Sequence, residues 1–134
     1  MSTVSETAVS LRFSGDDLDP AQIVAALGGQ PEIAYRKGEP MGRGRGIGRT
    51  GLCSFRGPRE RPGDLDSQIC KLLDSLASDL VIWRELAQQY DGELFIGLFL
   101  NGGNEGIGLE APTLERLARR GLRIDLDIYY RGRD

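Results

Sequence analysis

The chain has 134 residues, 40% of them hydrophobic and 28% charged, with a formal net charge of −3 and no histidine. That length and balance suit one globular domain spanning 1–134 and exclude global disorder. The missing imidazole removes the usual general base, the Ser-His-Asp and Cys-His pairings and the commonest transition-metal ligand.

In chain order, VSLRF places Val9, Leu11 and Phe13 at period two, which predicts a strand with one buried face. The opening MSTVSETAVSLRF has no basic segment followed by a long apolar one, and no apolar run approaches the roughly 18–20 residues of a membrane helix. A soluble cytoplasmic protein with no membrane association is the expectation. SGDDLDPAQIVAALGGQP predicts a helix, with Asp19 as its N-cap, Pro20 in the first turn, Gln22 completing a capping box and Gly28-Gly29 as the stop. Ile23, Val24 and Leu27 form its inward stripe.

EIAYRK reads as a short strand before a glycine- and arginine-rich loop at about 38–51, and LCSFR at 52–56 as a better one. PRERPGD reads as a proline-marked loop. Residues 65–90 carry apolar side chains at helical spacing, broken at Ser78-Asp79 into two helices with fresh capping at the second. Trp83 and Tyr90 fall on one face of the latter with Leu86 and Ala87, the pattern of core packing.

ELFIGLFL is apolar at both parities, which predicts a strand covered on both sides. NGGNEGIG reads as a turn. PTLERLARRG reads as a short helix with Leu114, Leu117 and Ala118 inward, and LRIDLDIYY as a closing strand with Leu122, Ile124, Leu126, Ile128 and Tyr130 on one face. The order implies an α+β layered sandwich, with a four- to five-stranded mixed or mostly antiparallel sheet and about four helices.

The segments SGDDLDPAQIVAALGGQP, RKGEP, TGLCSF and LERLARRGLRIDLDIYY together resemble a family of small, mainly bacterial proteins known as domain-of-unknown-function family 4279. The likeness spans nearly the whole chain. It implies an α+β fold, stand-alone modules sometimes linked to toxin-immunity loci, and no established activity or catalytic residues. Relatives have Trp where this chain has Cys53, so no aromatic role transfers to that position.

Three groups of residues carry possible chemistry. Between Arg36 and Arg61 eight cations meet two acids, a basic band on an acidic body. Within it, Gly46 to Gly51 fits GxGxxG, but the strand-like LCSF follows where a dinucleotide fold needs a helix. Arg36, Lys37, Arg43, Arg45 and Arg49 are therefore candidates for contact with a partner or an anion, or else charges that solvate a flexible connection. Asp125 and Asp127 share a strand face, a geometry open to a divalent cation, though facing water or pairing with Arg123 and Arg12 is the simpler expectation. Arg12, Phe95, Phe99, Asp125, Asp127 and Tyr129 lie on the parity opposite to the aliphatic set and would line one surface, unless another helix covers them.

Cys53 and Cys70 lack metal-ligand spacing and read as small core residues. No metal, no cofactor and no catalytic residues are expected. The sequence points to a non-enzymatic binding module, possessing features of an immunity-like protein only by resemblance, that recognises a protein partner or forms a homodimer. The alternative is a binder of RNA or of a phosphate-bearing ligand through the Gly/Arg-rich loop.

Overall fold

A computed structural model of the chain describes residues 2–132. Its elements are β1 (Ser2–Thr3), β2 (Glu6–Gly15), α1 (Pro20–Leu27), β3 (Ile33–Tyr35), β4 (Gly51–Glu60), α2 (Leu65–Asp74), α3 (Leu80–Gln89), β5 (Asp91–Leu100), β6 (Glu105–Gly106), α4 (Ala111–Arg119) and β7 (Arg123–Tyr130). The fold is α+β. A five-stranded mixed sheet runs β3-β4-β2-β5-β7, and β1 and β6 form a separate parallel pair.

The strand read at VSLRF is the centre of the sheet, flanked by β4 and β5, both antiparallel to it. Val9, Leu11 and Phe13 are buried on one face and meet Cys53 and Phe55 of β4 and Leu94, Ile96 and Leu98 of β5. β7 runs parallel to β5, and α4 lies in the crossover that parallel neighbours require.

Each of the first three helices begins at an aspartate that caps it. Asp19 accepts from the Ala21 N–H at 3.0 Å, Asp64 from Ser67 at 3.3 Å and Asp79 from Val81 at 2.9 Å. Asp79 thus splits the long helical run where expected. The capping box at Gln22 does not form, because its side chain accepts from the Tyr90 O–H at 2.7 Å and donates to Gln89 at 3.1 Å. Those bonds tie α1 to the end of α3, and cross-element packing outweighs a local cap.

The core lies between the sheet and its helices. Trp83 and Ile69, with Ile23, Leu72 and Leu73, close over the strand residues, and the Trp83 and Phe13 rings sit 6.4 Å apart. Gln68 is fully buried among them. Its amide donates to the Thr7 and Pro58 carbonyls, each at 2.8 Å, and its side-chain oxygen accepts from the Thr7 hydroxyl. Gln68 therefore sews α2 to both β2 and β4.

Several sequence expectations need correction. The PRE of PRERPGD belongs to β4, where a bulge sets Gly57 and Pro58 against Val9. A Cβ on Gly57 would lie 2.5 Å from Val9 Cγ2, so the bulge closes only over glycine. NGGNEGIG holds β6 as well as a turn. Leu114 and Ala118 face solvent, and α4 buries Thr113 and Leu117 instead. Along β7 only the start is covered. Leu122 is buried and Ile124 half-buried, while Leu126, Ile128 and Tyr130 are exposed because the helical layer ends short of them.

β5 is the most consequential correction. Its aliphatic face is buried under the helices, but Phe95 and Phe99 are only half-buried on the other side. All the helices pack on the aliphatic face, so no helix among the described residues covers the aromatic one.

Candidate functional site

The open face is assembled by strand alternation and register. Ser10 of β2 stands opposite both Arg56 of β4 and Phe95 of β5, and Phe95 stands opposite Asp125 of β7. One row along, Ala8 stands beside Arg59 and Gly97, with Asp127 beyond. At the next, Glu6, Phe99 and Tyr129 align. The structure thus brings Arg12, Phe95, Phe99, Asp125, Asp127 and Tyr129 onto one surface.

Aromatic and guanidinium groups stack on that surface. The Arg12 guanidinium lies 3.8 Å from the Phe95 ring centroid. Phe99 and Tyr129 stack with centroids 5.0 Å apart and planes at 6°, and Arg131 lies 4.3 Å from the Phe99 centroid. These cations explain how the two phenylalanines remain half-covered without a helix. Their aliphatic stems and flat heads provide the cover.

Between the stacks the floor is made of small residues, Ala8, Ser10, Ser54 and Gly97. The depression there holds about 280 Å³, walled by Arg12, Arg56, Arg59, Phe95, Phe99 and Tyr129. The bulge in β4 matters here, because it returns Arg59 to the same face as Arg56.

Glu6 anchors one end of the face. It is 3% exposed, yet three arginines converge on it, Arg59 and Arg61 from the end of β4 and Arg131 from beyond β7, each at 3.0 Å. Burial pushes its carboxyl up, and the Arg131 hydrogen bond with the charges of Arg61 and Arg59 outweighs that and holds it below the ordinary carboxylate range. The sequence reading missed this group. Its one signal was a lone acid at open-face parity at the start of a central strand.

Asp125 faces water, one of the two outcomes expected for the acids of β7, and among the described residues neither acid pairs with Arg123 or Arg12. Arg123 binds Glu93 at 2.9 Å, and Arg12 is engaged with Phe95. Asp127 instead accepts from the Tyr129 O–H at 2.5 Å, and that bond with the adjacent negative charge raises the phenol above its ordinary pKa. Among the described residues no group of three or more His, Cys, Asp or Glu side chains is placed to hold a metal ion.

The Gly/Arg-rich loop is a folded hairpin-like excursion. Gly38 donates to Gly48 O, Gly48 to Glu39 O and Met41 to Gly46 O, all at 2.9 Å, with Pro40 bridged to Ile47. Its basic residues divide into two groups. Arg36 binds Asp19 at 3.0 Å and Lys37 binds Asp16 at 3.3 Å, so the first two candidates fasten the loop to the body. Arg43, Arg45 and Arg49 are exposed and make no ion pair among the described residues. Arg43 and Arg45 border a second depression of about 480 Å³, which shares Glu32, Ile33 and Arg56 with the first.

Cys53 is buried, and burial pushes its thiol up to about 11, while Cys70 is half-buried. No helix among the described residues is long and apolar enough to cross a membrane.

The family model described as Domain of unknown function (DUF4279) matches residues 5–131. No curated protein and no solved structure matches the chain.

Proposed function

Because the chain belongs to this family, whose description carries no activity, we propose a function from its surface: a small cytoplasmic, non-enzymatic module that recognises a protein partner through the open face of its sheet. The observation that carries this reading is the depression between the Arg12–Phe95 and Phe99–Tyr129 stacks, with small residues beneath and arginines beside it. Protein interfaces concentrate their energy where an anchoring side chain enters such a pocket, and aromatic and arginine residues are enriched there. The mixed charge of the face, with Asp125 and Asp127 on the same side of the sheet as Arg12, Arg56 and Arg59, fits a protein surface better than a polyanion, which the acids would repel.

The test is comparative capture from the native lysate by the wild-type chain, Phe95→Ser and Arg12→Glu. A partner retained by wild type and lost by both variants supports the reading. Equal retention by all three counts against it.

A second reading rests on a different observation, the exposed Arg43, Arg45 and Arg49 on a glycine-rich loop, which make no ion pair among the described residues. They suit a phosphate-bearing ligand or an RNA backbone, to which guanidiniums and close-lying backbone give charge-assisted contacts. Its affinity would fall steeply with salt.

A further inference from the structure

We propose that two copies of this chain pair β7 with β7 in an antiparallel register centred on Ile128, joining their five-stranded sheets into one of ten strands. The pairing uses the sheet's free edge and not its open face, so it does not depend on the preceding reading.

An edge strand exposes unpaired N–H and C=O groups, and proteins ordinarily blunt such edges by shortness, proline, charged side chains, a bulge or a covering element. β3, at the opposite edge, is three residues long. β7 has eight residues, no proline and, among the described residues, no covering element; its charges, Arg123, Asp125 and Asp127, lie in its first five positions, and its ladder with β5 runs without a bulge. It exposes apolar side chains on both faces: Leu126 is 51% exposed, Ile128 60%, Tyr129 47% and Tyr130 54%.

The backbone selects which registers are possible. Arg131 directs its N–H inward, to Leu100 O at 2.6 Å. Alternation therefore turns the N–H and C=O groups of Leu126, Ile128 and Tyr130 toward the free edge. Only registers that set these residues opposite one another let both strands bond.

Charge then chooses among those registers. Centring the pair on Asp127 places two aspartates face to face, and centring it on Leu126 sets Asp125 against Asp127. Like charges directly opposite are destabilising. Centring on Ile128 sets Ile128 against its own copy, Leu126 against Tyr130, Asp127 against Tyr129 and Asp125 against Arg131. Neither Asp125 nor Asp127 then meets another acid, and the three outward apolar positions meet each other. Moving the centre to Tyr129 also avoids the clash but shortens the paired stretch. The two-fold arrangement closes on itself, so it yields a dimer and not a filament.

Sedimentation equilibrium of the full chain at about 100 μM tests the association. Wild type should have twice the chain mass, and Ile128→Lys the single mass with unchanged circular dichroism and melting temperature, since the site is exposed. The register is read by cysteine pairing in a Cys70→Ser background. Ile128→Cys should oxidise to a covalent dimer, because directly opposed residues of a bonded pair are about 5.5 Å apart, within disulfide range. Leu126→Cys alone should not, whereas Leu126→Cys combined with Tyr130→Cys should. A monomeric wild type, open-ended oligomers, a dimer that survives Ile128→Lys, or equal cross-linking by Leu126→Cys and Ile128→Cys would each overturn the proposal.

Discussion

The Arg12 guanidinium lies over the Phe95 ring, 3.8 Å from its centroid, on the face of the sheet that no helix among the described residues covers. One residue belongs to β2 and the other to β5, and the contact is made beside the floor of the depression. It therefore contributes to stability and also shapes the surface offered to a partner. A double-mutant cycle with Arg12→Ala and Phe95→Ala, read by urea denaturation, should give a coupling of about 0.5–1 kcal/mol, the range for partly solvated cation–aromatic pairs. Additive effects would mean that the two groups merely lie near one another.

Glu6 should make stability depend on acid. Its carboxyl is held below 4.5 in the folded chain, so its contribution is complete above the unfolded value and disappears as pH falls through the lower folded one. Glu6→Gln should lower stability at pH 7 by about 1–3 kcal/mol, because hydrogen bonds to charged groups are lost while three arginines keep partial access to water. Between about pH 5 and 2 the variant should lose less further stability than wild type. Parallel curves would dispose of the assignment.

Gln68 should be intolerant of shape-preserving replacement. Gln68→Leu keeps the volume but leaves the Thr7 and Pro58 carbonyls without their donor, at a cost of about 1–3 kcal/mol by chemical denaturation. Gln68→Glu should be worse at neutral pH, since it aims a carboxylate at two carbonyl oxygens. A neutral Gln68→Leu would show that the amide fills space and little more.

The loop arginines should be separable from the fold. Arg43 adopts φ of 50°, a left-handed conformation that glycine accepts without strain, so Arg43→Gly with Arg45→Ala should leave the melting temperature nearly unchanged. If the loop holds a phosphate-bearing ligand, the same pair should weaken binding of a short RNA and flatten its dependence on salt. Salt-independent binding would remove the phosphate reading.

The two cysteines should report different events. A thiol reagent should label Cys70 in the native chain, whereas Cys53, buried and with its thiol pushed up to about 11, should react only as the chain unfolds. Cys53 labelling at the same rate as Cys70 would contradict the burial of β4.

Much of the element order was legible because its signals are local. Asp19 and Asp79 cap helices where they were expected to, and alternation placed Arg12, Phe95, Phe99, Asp125, Asp127 and Tyr129 on one parity. Glu6 was not legible, since its meaning depends on Arg59, Arg61 and Arg131, which reach it from the ends of two other strands. The ion pairs of Arg36 with Asp19 and Lys37 with Asp16 were not legible either, since folding brings them together from distant positions.

By itself the sequence determined the α+β class, most of the strands and helices and the parity of the open-face residues, because periodicity and capping act over a few positions. Only the tertiary structure decided that every helix packs on one side of the sheet and that β7 is left as an edge. Those outcomes depend on how the crossovers route the chain, and residue spacing carries no record of that.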